Sequence, residues 1–264
     1  MLLMVIYSHS RLSSFEQCPY KFKLRYIDKI IPEIEKSIEA HLGSSVHDAL
    51  EWLYQSVMEG RIPTLDEVIT RYAETWQKTF VPNIKIVRHN LTDKDYFNKG
   101  IQFLLDYYMR NKPFNDGTVS VEDRILIKLD EEFQIQGFID RLVHNTKTNI
   151  IEIHDYKTAN SLPPQEKFET DRQLALYSIA IKEKFGNDKK VLLVWHYLAH
   201  NTKIISTRTN EQLKQLKQET LNLIKEIEST TEFPSKKSIL CDWCEYKSMC
   251  PEFGGIVKEI QKKL

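Results

Sequence analysis

Two short runs hold the residues that could do hydrolytic chemistry: GFID, which ends in Asp140, and NIIEIHDYKT, which carries Asp155, Tyr156 and Lys157. If the second run is a strand, its side chains alternate between two faces, and Ile151, Ile153, Asp155 and Lys157 share one of them. An acid and an amine then close an apolar row, and burying either alone is costly. A hairpin turning near Asn145–Thr148 brings Asp140 beside Asp155. Neighbouring carboxylates repel unless a proton or cation lies between them, and oxygen ligands of this kind suit a hard divalent ion such as Mg²⁺. As a surface feature the Asp155–Lys157 pair would be worth only about 0–1 kcal/mol. The apolar row before it argues for burial.

The cysteines form a second constellation. Cys241, Cys244 and Cys250 lie within CDWCEYKSMC, and the remaining one, Cys18, stands far upstream in QCPYKF. A chain of this length needs no disulfide staples, so the clustering reads as three ligands of one metal centre, with Cys18 left to supply the fourth. Structural zinc usually draws on two local ligand pairs, whereas a triplet with one distal partner is closer to an iron–sulfur arrangement. Spacing leaves iron–sulfur, zinc and unliganded core cysteines open, in that order. A centre with all its positions held by protein would clasp the chain ends rather than take part in catalysis.

The elements that must position these residues are legible as changes of period. MLLMVIYS reads as a first strand, residues 10–29 as a helix, and Gly43 to Met58 as another, with Ser44 and Ser45 as cap candidates and Val46, Leu50, Leu53 and Val57 on one face. Residues 64–112 are helical and charged, with a break near Pro82-Asn83. From Thr118, VSVEDRILIKL, EEFQIQGFIDRLVH and NIIEIHDYKT alternate as an antiparallel meander with turns near Asp130 and residues 145–148. A helix from Glu166 to Phe185, strands at VLLVWHYLA and KIISTR, and a helix from Glu211 to Ile227 follow. The expected class is α/β, a sheet flanked by helices, in one composite domain of three stretches: 1–117, 118–232 and 233–264.

Composition narrows the partners. With 264 residues, 41% hydrophobic and 28% charged, the sequence reads as a soluble globular chain with a cytoplasmic address. It holds no apolar run long enough to span a bilayer, and MLLMVIYS is too short and lacks the basic flank of a secretory signal. The 37 basic and 37 acidic residues cancel, so contact with nucleic acid must come from a local patch. Arg11, Lys21, Lys23, Arg25 and Lys29, interleaved with Phe15, Tyr20, Phe22 and Tyr26, form one candidate; the plainer reading is a solvated helix face. There is no GxxxxGK[ST] run, hence no motor of the chain's own.

In order along the chain, SHSRLSSFEQCPYKFKLRYI, GSSVH with His47, GFID with Asp140, Asp155-Tyr156-Lys157, Gln173-x3-Tyr177 and the closing cysteines resemble PD-(D/E)XK nucleases of the RecB type. The likeness is to the iron–sulfur-bearing branch, which includes the AddB nuclease domain and the CRISPR-associated RecB-like exonucleases, and it runs from Ser8 to Pro251. It implies a restriction-endonuclease-like core over 118–232 with a mixed central sheet, a helical N-terminal insertion, and a four-cysteine Fe–S clasp joining the termini. It further implies that Asp140 and Asp155 are catalytic ligands of Mg²⁺ or Mn²⁺, assisted by His47 and the backbone carbonyl of Tyr156. Lys157 would orient the attacking water and offset charge in the transition state, and Gln173 and Tyr177 would meet the DNA strand. Cys18, Cys241, Cys244 and Cys250 would hold a [4Fe–4S] cluster.

The activity implied is a metal-dependent DNA exonuclease on single strands or DNA ends, in recombination, repair or CRISPR adaptation, beside a helicase or CRISPR integration partner. One departure is that Ile139 precedes Asp140, where the family name has a proline. Two other readings remain: a DNA-binding module of the same fold serving a helicase or integrase, and a zinc-ribbon interaction protein. Taken alone, His47 beside Val46 and Leu50 reads as an interface histidine, and nothing in the sequence separates Arg141 or Arg172 from solvated neighbours.

Overall fold

The computed structural model describes residues 4–32, 34 and 36–255. The expected opening strand is β1, Val5–Ser8; residues 1–3 of that expectation lie outside the described residues, as do 256–264 of the cysteine segment. Ser8 caps the next helix, α1 (His9–Gln17), by accepting from the Arg11 amide. The single helix expected over 10–29 is interrupted, because Cys18 is extended ahead of Pro19, whose fixed φ starts a new turn, α2 (Pro19–Phe22). That turn runs on as a π-helical turn, Lys23–Ile27.

Three helices follow. α3 (Ile38–Met58) begins earlier than the glycine at position 43 led one to expect: Ser37, not Ser44 or Ser45, is the cap, accepting from the Ala40 amide. α4 (Leu65–Thr79) and α5 (Asp93–Asn111) each open on a reciprocal capping box, Thr64–Glu67 and Thr92–Asp95. The break expected near Pro82-Asn83 is there, widened to residues 80–92.

The meander is as expected: β2 (Thr118–Lys128), β3 (Phe133–Asn145) and β4 (Ile150–Lys157) pair antiparallel in sequence order. A short α6 (Gln165–Glu169) and α7 (Gln173–Phe185) replace one continuous helix, parted at residues 170–172, where Asp171 accepts from the Leu174 amide. β5 (Lys190–Tyr197) returns parallel to β4, β6 (Thr202–Ser206) pairs antiparallel to it, and α8 (Asn210–Ser229) closes the core. Three short 3₁₀ turns, Ile239–Trp243, Lys247–Met249 and Pro251–Phe253, carry the last cysteines.

The sheet is mixed and buried on both faces. One face holds Tyr7, Leu12, Phe15, Ile135, Ile153, Leu176, Trp195 and Ile224, joining α1, α7 and α8 to the sheet. The other holds Leu50, Tyr54, Tyr72, Trp76, Tyr107, Tyr156 and Leu198, so α3–α5 form a full layer rather than an appendage. Among the described residues, no helix is long and apolar enough to cross a membrane.

One feature of the topology positions the site. β2 pairs with β3 almost end to end, so β1 and β4 must share the opposite edge of β3. β1 runs parallel there and stops at Ser8, opposite Gln136; β4 runs the other way and its last ladder pair is His154 with Arg141. The C-terminal ends of β1 and β4 therefore converge on a break in the edge, opposite residues 137–140.

Candidate active site and cysteine clasp

The break is filled by side chains instead of a ladder. Asp140, one position past the last β3–β4 pair, accepts the Tyr156 amide on Oδ2 at 2.8 Å. His47, from α3, sits 2.8 Å from the Tyr156 carbonyl through Nε2 and 3.5 Å from Asp140 Oδ2 through Nδ1. An Nε2–H donated to that carbonyl would turn Nδ1 towards the carboxylate, and a second contact of this kind orients a ligating histidine. The carbonyl thereby spends one of its two lone pairs on His47.

A third ligand candidate was not legible in the sequence. Glu122 of β2 joins His47 and Asp140 in a group whose ligand atoms all lie within 4.8 Å of one another. Alternation would leave Glu122 in ordinary ladder pairing, but its φ of +47° takes it out of the ladder between the Val121–Arg141 and Asp123–Ile139 pairs. Burial pushes the Asp140 carboxyl up to about 7, reinforced by Asp155 and Glu122 and opposed by His47 and the Tyr156 amide. Burial raises Glu122 as well. Carboxylates crowded in this way are the environment that a cation neutralises.

Asp155 is 3% exposed and turned to Lys157, whose Nζ donates to Oδ1 at 3.0 Å. Oδ2, 2.8 Å from the same nitrogen, has no partner of hydrogen-bonding geometry. Burial works against the Lys157 ammonium, but Asp155, with Asp140 and Asp171 behind it, more than offsets this and holds the amine protonated. The structure thus brings His47 and Asp140 into one ligand group and leaves Asp155 adjacent to it, engaged with the lysine.

Gln173 opens α7 and accepts from Lys157 Nζ at 3.3 Å; its amide reaches the Tyr177 hydroxyl at 3.5 Å. Tyr177 lies against Gly137 so closely that a Cβ there would sit 2.2 Å from the ring. Gly43 plays a milder part: a Cβ would sit 3.3 Å from Thr158 Oγ1, so glycine lets α3 approach the end of β4.

Behind the site, Arg141 is almost wholly buried, not solvated. It donates to the Tyr156 hydroxyl at 2.9 Å, lies 2.8 Å from His154 Nδ1 and pairs with Asp116, while Tyr156 and Tyr107 share a hydrogen bond at 3.2 Å. Tyr156 is therefore held by its side chain on one face while its backbone serves Asp140 and His47.

The basic stretch is spent largely within the chain: Lys21 and Arg25 pair with Glu245, Lys23 with Asp28, and Arg11 covers the Tyr7 ring. The four cysteines, by contrast, do come together. All four line one cavity of about 50 Å³, with the Cys18 sulfur accepting the Lys236 amide at 3.4 Å and the Cys241 sulfur the Ser238 amide at 3.3 Å. Burial raises the Cys244 and Cys250 thiols. Around them the chain ends are tied by a small core of Leu24, Ile30, Tyr246 and Met249 and by the Tyr246 hydroxyl on the Ile30 carbonyl at 3.0 Å.

The family model of the PD-(D/E)XK nuclease superfamily matches residues 6–251. Among solved structures, "Crystal structure of SSO0001" is similar at 14% identity and a TM-score of 0.39, over 80% of this chain and 84% of that one. No curated protein matches.

Proposed function

Since the chain belongs to the PD-(D/E)XK nuclease superfamily, we propose that it is a metal-dependent DNA exonuclease of the RecB type, acting on single strands or DNA ends. The observation that carries this is the meeting of His47, Glu122 and Asp140 beside the Asp155–Lys157 pair at the break in the sheet edge. A nitrogen and carboxylate oxygens form a donor set that fits Mg²⁺ or Mn²⁺, and Asp155, whose Oδ2 has only the ion-pair contact with Lys157, gives a further oxygen next to it. His47, Asp140 and Asp155 would hold the ion, with Glu122 and the Tyr156 carbonyl within the same shell. When bound, a divalent ion supplies Lewis-acid polarisation of the phosphate and lowers the pKa of water.

The chain's own residues do the rest. Lys157, kept protonated by Asp155, offers a fixed positive charge where negative charge grows on the phosphorus oxygens. Gln173 restrains that ammonium from the other side and, with Tyr177, lies where a DNA strand would cross the site. A binding module would not need an ammonium held between a carboxylate and an amide, and this favours hydrolysis over the DNA-binding reading. Labelled single-stranded DNA incubated with Mn²⁺ tests it: wild type should degrade the strand and Asp155→Ala should not, and equal behaviour would remove the assignment.

The cysteines are assigned to a [4Fe–4S] cluster in a cytoplasmic protein whose thiols stay reduced. The convergence of all four cysteines on one cavity supports a shared centre, and a C-terminal triplet with one distal partner favours the cluster over zinc. The protein would act beside a helicase or a CRISPR integration complex.

A further inference from the structure

Two buried nitrogens near the site have no hydrogen-bond partner, His9 Nδ1 and Arg172 Nε, and Asp155 Oδ2 has only the ion-pair contact with Lys157 at 2.8 Å. A buried donor or acceptor left unpaired is costly, so native proteins rarely leave such atoms unless a ligand or water completes them. His9 belongs to this neighbourhood, since Arg172, Lys157, Glu16 and Asp155 are the charges that act on it. The topology explains why. His9 directly follows Ser8, the last residue of β1, and β1 and β4 converge from opposite directions on the break opposite residues 137–140. The first residue after β1 is thus delivered to the end of β4 that carries Asp155 and Lys157, and ligands of open α/β sheets sit outside the C-terminal ends of strands.

His9 Nε2 lies 3.2 Å from Ser13 Oγ, one turn along α1; in the tautomer that accepts from that hydroxyl, the hydrogen of the neutral ring stands on Nδ1, the atom without a partner. Burial, together with Arg172 and Lys157, keeps the imidazole neutral at ordinary pH. Arg172 is held by Glu16, at 3.0 Å and 2.5 Å through its two terminal nitrogens, which leaves Nε unengaged. Arg172 and Lys157 act on this ring against Glu16 and Asp155, and His9 Nδ1 and Arg172 Nε are two N–H positions that an anionic oxygen could engage.

We propose that His9 Nδ1–H, with Arg172, binds a phosphate oxygen of the nucleic-acid strand next to the Asp155–Lys157 pair, making His9 a substrate-contacting residue of the nuclease site. This rests on the nuclease reading above.

Fluorescence anisotropy of a labelled single-stranded oligonucleotide in Ca²⁺ tests it with the whole chain, alongside Mn²⁺ affinity and thermal melting. His9→Leu should weaken oligonucleotide binding about tenfold or more, with Mn²⁺ affinity unchanged. His9→Asn, whose Nδ2 can stand in for the ring Nδ1, should recover most of the loss. Binding by His9→Leu equal to wild type overturns the proposal, as does equal weakening by Leu and Asn, which would mark a packing role. If wild type binds the oligonucleotide but never cuts it in Mn²⁺, the hydrolytic reading falls while the Leu–Asn comparison still decides the subsite. If wild type binds no oligonucleotide, both fall.

Discussion

Asp140 concentrates the electrostatics of the site in one carboxyl group. Burial lifts it from 3.8 to about 7, so between those values the folded chain holds a proton that the unfolded chain has released. Without metal, the Asp140 contribution to stability rises as pH falls from about 7 towards about 4, opposed over the same range by the buried His9, His154 and His196, whose neutral form burial favours; the difference in melting temperature between wild type and Asp140→Asn should therefore shift in favour of wild type from about pH 8 to about pH 5. Mn²⁺ should raise the melting temperature of wild type more at the higher pH, because ion and proton compete for the same carboxylate. Thermal melts in EDTA and in Mn²⁺ read both; a difference between wild type and Asp140→Asn that stays the same at the two pH values would contradict the assignment. At this scale the meeting of Asp155 with Lys157 was legible in an apolar row that ends in charge, and the approach of Asp140 to the same strand end in the hairpin. Glu122 was not, because the left-handed residue that takes it out of the ladder has no glycine or asparagine to announce it.

At the scale of elements, the site depends on the close approach of Tyr177 of α7 to β3, and Gly137 is the residue that permits it. A methyl group there would meet the Tyr177 ring at 2.2 Å, so Gly137→Ala must displace the tyrosine, the helix start or both. The expected cost is about 1–3 kcal/mol of stability, with loss of cleavage, since Gln173 moves with the helix and Lys157 loses its second hydrogen bond. Adding Tyr177→Ala should restore most of the stability but not the activity; a double variant no more stable than the single would contradict this packing account. Element type was read correctly almost throughout, while boundaries were missed where a side chain overrides propensity. Ser37 starts α3 a full turn before Gly43, and Asp171 stops the run of residues from Glu166 by capping α7 anew.

At the scale of the whole molecule, Cys18 near the N-terminus meets Cys241, Cys244 and Cys250 near the C-terminus at one cavity. Cys18 stands where α1 ends, so a ligand there ties α1, which carries Tyr7-packed Arg11 and His9, to the last turns of the chain. Anaerobically purified protein should be brown with iron and sulfide, and Cys18→Ser should lose the colour and melt lower. A colourless protein with stoichiometric zinc, or unchanged melting, would overturn the cluster or the clasp. The pairing of distant cysteines was legible from their number alone, but the convergence of β1 and β4 on one edge of β3 was not, because strand order is a long-range property that no local period records.

The central claim, that this site hydrolyses DNA with a bound metal and a charged lysine, is tested most directly by Lys157→Met measured in two ways. Mn²⁺ binding, followed by electron paramagnetic resonance, should be nearly retained, because Lys157 is not a ligand. Mn²⁺-dependent degradation of labelled single-stranded DNA should fall by at least about 100-fold, the loss typical of removing a group that stabilises developing charge. A variant that binds Mn²⁺ and degrades the strand as fast as wild type would contradict the account.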